Sequence, residues 1–261
     1  MAVNPNIIGI VSDEFTNPNT VTLLNEVTRQ LNARGFVTLL LNVDSRESYQ
    51  RALRDSASLP MAGLLFLASL FDDELPVTRE ILPNIATVHL AHSRDTQANM
   101  VIADGFYAGA EMGLLLLSEG HQRFGFMHSQ PNPSSARHMA GLVSSLEAEH
   151  KALNIQLTAG ANDRELAYQE MMDYLKKARA AERINALFCE SDVLAFGALQ
   201  AVRDFGQGAH VAVVGFDDVD EARASIWHLT SWAQRRDSFV NAALNRLLQH
   251  RADAGNDWQP G

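Results

Sequence analysis

Phe188-Cys-Glu-Ser-Asp-Val-Leu-Ala-Phe-Gly197, followed closely by Val211-Ala-Val-Val-Gly-Phe-Asp-Asp218, decides how this 261-residue chain is read. Each half is a short apolar run that ends in polar residues, Glu190-Ser191-Asp192 in the first and Asp217-Asp218 in the second. Between the runs, Ala195, Ala198, Leu199, Val202 and Phe205 recur at the 3.6-residue period of a helix, with Asp192 placed to cap its start and Gly206 to end it. Strand, helix and strand in this order make a parallel pair. Their polar ends then gather at the carboxyl edge of a sheet, where open α/β sheets hold small ligands.

The same alternation extends outward in both directions. Apolar runs over 7–11, 37–43, 63–68, 86–90, 100–103, 124–128, 155–158, 186–189 and 211–216 read as strands, and nine of them suit two sheets better than one. A helix over 19–33 carries Val21, Leu24, Val27 and Leu31 on one face and ends at Arg34-Gly35. Another follows Asp104 with Tyr107, Ala110, Leu114 and Leu117 as far as Gly120, and a third begins near Asp163 with Ala167, Met171, Tyr174, Leu175 and Ala178. The expected class is α/β, two doubly wound parallel-sheet lobes, with a loose duplication of strand-helix units about residue 120. No linker rich in Gly, Pro or Ser divides the chain. The one such stretch, His128-Ser-Gln-Pro-Asn-Pro-Ser-Ser-Ala136, follows a strand and is a candidate ligand loop.

A hydrophobic share of 46% supports a folded core, and a net charge of -10 opposes binding of DNA or an anionic membrane through the overall field. The single cysteine, Cys189, excludes an internal disulfide, and its apolar run favours a buried, inert thiol. No secretory signal is visible, and runs such as 114–117 are far shorter than the ~20 residues of a membrane span. A soluble, cytoplasmic protein is expected. The sequence holds no G-x-G-x-x-G after a strand, no phosphate-binding G-x-x-x-x-G-K-[ST] and no G-x-S-x-G elbow. His89, His92, His121, His128 and His138 lack metal-ligand spacing. No catalysis, metal or cofactor is expected.

Several spaced motifs resemble the lactose repressor (LacI/GalR) family of bacterial transcription regulators. The two runs quoted above are similar to its C-x-N-D-x-x-A-x-G-A and V-x-V-V-G-F-D-D, and Ile8-Gly-Ile-Val-Ser-Asp-Glu-Phe-Thr-Asn-Pro18 to its I-G-x-x-x-P-D-x-x-N-P. Asp104, Gly109, Gly113 and Gly120-His121, Gly141 in the family's R-x-x-G helix, and Leu229-Thr-Ser-Trp-Ala-Gln234 fall at further family positions. The resemblance implies a fold like the type I periplasmic binding proteins, with three crossovers between lobes and a ligand cleft. Lobe one would be 5–119 plus 235–261, and lobe two 121–234. It further implies a helix-turn-helix headpiece ahead of this unit, which the present chain lacks. At the far end the family adds a strand and an L-V-x-R-x-S segment where this chain reads Asn256-Asp-Trp-Gln-Pro-Gly261, so an edge strand of lobe two is expected to be missing.

The resemblance also implies a set of effector contacts, each with a structural alternative. Asp217 matches the family's effector-binding aspartate, and a carboxylate can accept from two adjacent hydroxyls; capping of the next turn is the alternative, and is the role expected of Asp218. Ser191 replaces a frequent asparagine, and Glu190 adds a second carboxylate. The family's effector-binding arginine falls on His138, with Arg137 one residue earlier and about 100 degrees away on a helix; a His138 facing the ligand would titrate near neutral pH, and an exposed histidine is the alternative. Asn162 stands where relatives place a stacking aromatic ring, a surface that Trp232 could supply unless it only packs. Gln234 and the loop Phe15, Thr16 and Asn17 complete the wall, with Phe15 equally suited to a core. At Ala91-His92 the family's Asp-Arg is replaced.

The expected function is the effector-sensing and dimerising domain of a LacI-type regulator. The effector would be a small sugar or polyol, with a nucleoside as the second choice, and operator DNA would be met only through the absent headpiece. A homodimer is expected, with interface candidates near 19–33, 46–58 and 193–205. A periplasmic-type uptake receptor for sugars is the alternative.

Overall fold

The computed structural model describes residues 5–67, 75–91, 100–102 and 104–256. Strands and helices alternate as β1 (Ile7–Ser12), α1 (Pro18–Ala33), β2 (Val37–Asn42), α2 (Arg46–Ser56), β3 (Met61–Phe66), α3 (Leu75–Ile81), β4 (Ala86–Ala91) and β5 (Met100–Ile102). They continue as α4 (Gly105–Ser118), β6 (Phe124–His128), α5 (Pro133–Ala148), β7 (Leu153–Thr158), α6 (Arg164–Lys177), β8 (Ala186–Cys189), α7 (Asp192–Phe205), β9 (Ala212–Phe216), β10 (Thr230–Trp232) and α8 (Arg236–Asn256).

Backbone packing divides the chain into a first unit, 1–103 plus 235–261, and a second unit, 104–234. The boundary expected near residue 120 is thereby displaced to residue 104. The cause is α4: its buried Ala108, Met112 and Leu116 join Phe124, Phe126 and Leu142 in a core of the second unit. The chain passes between units at 103/104 and at 234/235. Three crossovers were expected, and no third passage occurs among the described residues.

The first unit is a parallel sheet of order β2-β1-β3-β4-β5. Because alternate residues of a strand face opposite sides, Ile8 and Ile10 of β1 pack with Val27 and Leu31 of α1 and Val240, Leu244 and Leu247 of α8, whereas Val11 joins Tyr49 and Leu53 of α2 on the other face. The apolar face of α1 is rotated from its expected position, with Thr20 and Leu23 buried and Val21 half exposed. The helix ends as expected at Gly35, in the left-handed region at φ 80°.

The second unit repeats the plan in a parallel sheet of order β10-β9-β8-β6-β7. Helices α4 and α5 cover one face over Phe126, Phe188 and Phe216, and α6 and α7 cover the other over Met127, Leu187 and Val213. All nine expected strands form. The tenth, β10, pairs with β9 and lies in Leu229-Thr-Ser-Trp-Ala-Gln234.

The face that α4 buries also differs from the expected one. Tyr107 and Leu114 are more than half exposed, and Gly105, Gly109 and Gly113 turn inward instead. A Cβ built on Gly109 would meet the His138 carbonyl oxygen at 2.0 Å, and one on Gly141 would meet the Phe106 carbonyl oxygen at 1.9 Å. Glycines four apart on α4 thus let it touch α5 backbone to backbone, and that contact outweighs the burial of two larger apolar side chains.

Candidate functional site

The strand order of the second unit reverses between β6 and β8, and that switch point is where the carboxyl ends of such a sheet leave a crevice for a ligand. Ser129 follows β6 and Glu190 follows β8. Glu190 Oε1 accepts from both the backbone N–H and the hydroxyl of Ser129, the latter at 2.6 Å. Burial pushes the Glu190 carboxyl above its ordinary pKa, and the two Ser129 hydrogen bonds partly offset that. On the neighbouring β7 side, Gln130 Nε2 donates to the Gly160 carbonyl at 2.6 Å. The loop expected to span nine residues is short, since Asn132 caps α5 in a reciprocal pair with Ser135 and the helix starts at Pro133.

Ser191, and not Asp192, caps α7: its hydroxyl oxygen accepts from Leu194 N–H at 3.3 Å while its proton goes to Asn162 Oδ1 at 2.6 Å. Asn162 is itself exposed, so this pair links the ends of β7 and β8 at the surface. Asp192 is fully buried as the first helical residue. Its carboxylate takes Val219 N–H at 2.9 Å and the Ser231 hydroxyl at 2.6 Å. The expected capping role of Asp192 is therefore corrected: the carboxylate points across the strand ends rather than back at its own helix.

After β9 the chain turns through two residues of positive φ, Asp217 at 105° and Asp218 at 49°. Such conformations are strained for residues with a side chain. Asp217 N–H donates to the Trp232 carbonyl at 3.1 Å and Asp218 N–H to Ser231 Oγ at 2.9 Å. The Asp218 carboxylate does not cap the short helical turn Asp220–Arg223, which has no side-chain cap; it forms an ion pair with Arg223 at 2.6 Å. The half-buried Trp232 stacks on Phe216 with ring centres 5.2 Å apart and planes within 2°, and its indole N–H donates to Glu111 Oε2 at 2.7 Å. Gln234 is half-buried just beyond β10.

His138 is not the exposed histidine of the alternative reading. It is 2% exposed, packed 4.4 Å from the Phe216 ring and against Gly105, where a Cβ would leave no room for its ring. Arg137 remains on the surface, 3.5 Å from Asp104. Both placements follow from the tight α4–α5 contact, which turns residue 138 inward and residue 137 outward.

In the first unit the corresponding strand end is the loop after β1. Asn17 caps α1, accepting from Asn19 N–H at 3.0 Å, which gives it a structural role; Thr16 is exposed and Phe15 half-buried. Asp13, not among the expected contacts, has a buried Oδ1 that takes no hydrogen bond among the described residues. Burial raises its pKa, and the adjacent Glu14 charge adds to the rise. His92 lies outside the described residues.

The partners of Ser129, Asp192, Ser231 and Glu111 also escaped the sequence reading. Each acts on a site residue from a distant part of the chain, and only Asp192 and Ser231 lie inside recognisable motifs. Cys189 is buried, and burial raises its thiol pKa. No helix among the described residues is long and apolar enough to cross a membrane.

Comparison with known proteins agrees with the fold. The family model described as "periplasmic binding proteins and sugar binding domain of LacI family" matches residues 5–253. Among curated relatives, the HTH-type transcriptional repressor PurR of Serratia proteamaculans is 26% identical, over 92% of this chain and 72% of its own length. Among solved structures, a putative LacI-family regulator from Sanguibacter keddieii has a TM-score of 0.83 at 25% identity, covering 99% of this chain and 94% of that one. A LacI-family regulator from Enterococcus faecium with bound ribose has a TM-score of 0.80 at 23% identity, covering 97% and 92%.

Proposed function

The chain belongs to the family of periplasmic binding proteins and LacI-type sugar-binding domains, and from that premise we propose that it senses a small, hydroxyl-rich metabolite at the carboxyl edge of the second unit's sheet. Asp217 carries the reading. It sits at the end of a central strand, in a conformation that costs energy, with its backbone N–H committed to β10. Strain of this kind persists where a side chain has to be presented in one direction. A carboxylate can accept from two neighbouring hydroxyls, and Glu190, Ser191 and Asn162 add acceptors and donors on the adjacent strand ends.

The acidic character of this edge and the outward position of Arg137 favour a neutral sugar or polyol over a phosphorylated ligand. The Enterococcus relative with bound ribose agrees with that class. In the regulator of which this domain forms the sensing part, ligand binding would shift the affinity of a DNA-reading segment for its operator, in a cytoplasmic homodimer. Coupling of this kind typically amounts to about 1–3 kcal/mol and acts in both directions. That the curated relatives are repressors favours this role over an uptake receptor.

The test is a thermal-shift screen with ribose, glucose, sucrose, cellobiose, polyols and nucleosides. A ligand at 100 times its Kd stabilises by about 2.7 kcal/mol. Asp217→Ala is expected to fold normally and lose the shift; a shift of unchanged size in that variant removes Asp217 from the site.

A further inference from the structure

A carboxylate with no exposed surface is costly to keep unless both oxygens are satisfied, so the partners of Asp192 show what it is there to hold. The side-chain cap of α7 is supplied by Ser191 rather than by Asp192. Its Oδ2 accepts from Val219 N–H and its Oδ1 from the Ser231 hydroxyl, while the Ser231 oxygen accepts in turn from Asp218 N–H. With Asp217 N–H bound to the Trp232 carbonyl, three successive backbone donors, 217, 218 and 219, are all committed to β10 or to Asp192. Gly215 is shaped to this arrangement, since a Cβ there would lie 2.2 Å from Asp192 Oδ1. Two strained residues in a row survive only where their surroundings fix them. Those surroundings include one buried carboxylate, one hydroxyl and the Trp232 carbonyl.

We propose that Asp192 is a positioning residue of the effector site: together with Ser231 it fixes the left-handed turn that presents Asp217 and fastens that turn to β10. The chain leaves the second unit just after β10, at residue 234. Whatever Asp217 binds is thus mechanically joined to the segment by which the two units are connected. The positioning role rests on the reading of Asp217 as an effector contact, but the brace itself can be tested without any ligand.

The experiment is hydrogen exchange of the 217–219 backbone amides in the whole chain, comparing the parent with Ser231→Ala, Asp192→Asn and Ser231→Thr. Loss of one such hydrogen bond is expected to speed exchange at 218 and 219 about tenfold in Ser231→Ala. Ser231→Thr, which keeps the hydroxyl, is expected to restore the parent rate. Parent-like rates at these amides in Ser231→Ala overturn the proposal. So does an equal acceleration across all strands of the second unit, which would mark a general core role; if Asp192→Asn does not fold, Ser231→Ala decides alone. With ribose, or the compound of the screen that gives the largest shift, Ser231→Ala is expected to weaken binding about tenfold and Ser231→Thr to leave it unchanged. Faster exchange with unaltered affinity refutes the positioning role and leaves the proposed function standing. If no compound binds the parent, the functional reading fails while the exchange rates still judge the brace.

Discussion

The Cα of Gly141 in α5 lies so close to the Phe106 carbonyl of α4 that a methyl group on it would sit 1.9 Å from that oxygen. Neither partner is a flexible side chain tip, so no rotamer change relieves the overlap. Gly141→Ala should force the helices apart and cost about 3 kcal/mol or more, at the upper end of overpacking effects. Urea unfolding that leaves the midpoint within experimental error would show that the helices pack less tightly than described.

A pH effect is expected from His89, which is 1% exposed and stacked on Phe66 at 4.3 Å. Burial lowers its pKa from 6.5 to about 4. The unfolded chain therefore takes up a proton near pH 6.5 that the folded chain refuses until about pH 4. This contribution to stability is fully present above pH 6.5 and is lost as pH falls through that window, by about 3 kcal/mol in all. His89→Phe should keep the stack and flatten the stability profile between pH 6.5 and 4; an unchanged slope would assign acid sensitivity to other groups.

Cys189 lies in the fully buried strand β8, and burial raises its thiol pKa. The native protein should react with a thiol reagent only as fast as it opens, and added denaturant should bring immediate labelling. Rapid labelling at neutral pH without denaturant would place the thiol at a surface.

At the end of α5, His150 holds a left-handed φ of 56° while its N–H bonds to the Glu147 carbonyl at 3.0 Å. Glycine prefers this position. His150→Gly is expected to stabilise the second unit by about 0.5–1 kcal/mol. A lowered melting temperature would show that the imidazole makes a compensating contact.

The strands were legible because alternation of apolar runs with amphipathic helices is a strong signal. Among the described residues only β10 escaped, as Thr230-Ser-Trp232 has no apolar run and is held as a strand by β9. Helix faces were less legible. In α4 the leucines suggested one face, yet close backbone contact at Gly109 selected another, and such contact leaves no trace in hydrophobic periodicity. The site was legible as a set of motifs but not as a mechanism. Asp192 fitted a cap by spacing alone, and its actual partners lie 27 and 39 residues away. His138 aligned with a ligand-binding position, but its neighbour Gly105, which makes room for it to turn inward, carries no signal of that in the sequence.

Helix α8 follows the whole of the second unit in the chain, yet Val240, Ala243, Leu244 and Leu247 complete the core of the first against β1, β3 and β4. On the ribosome, the part of the first unit's sheet that α8 covers must therefore stay uncovered until the second unit has been synthesised. The later-made half can fold ahead of the earlier one, and a nascent chain released before residue 236 would expose the apolar patch that α8 covers, for chaperones to recognise.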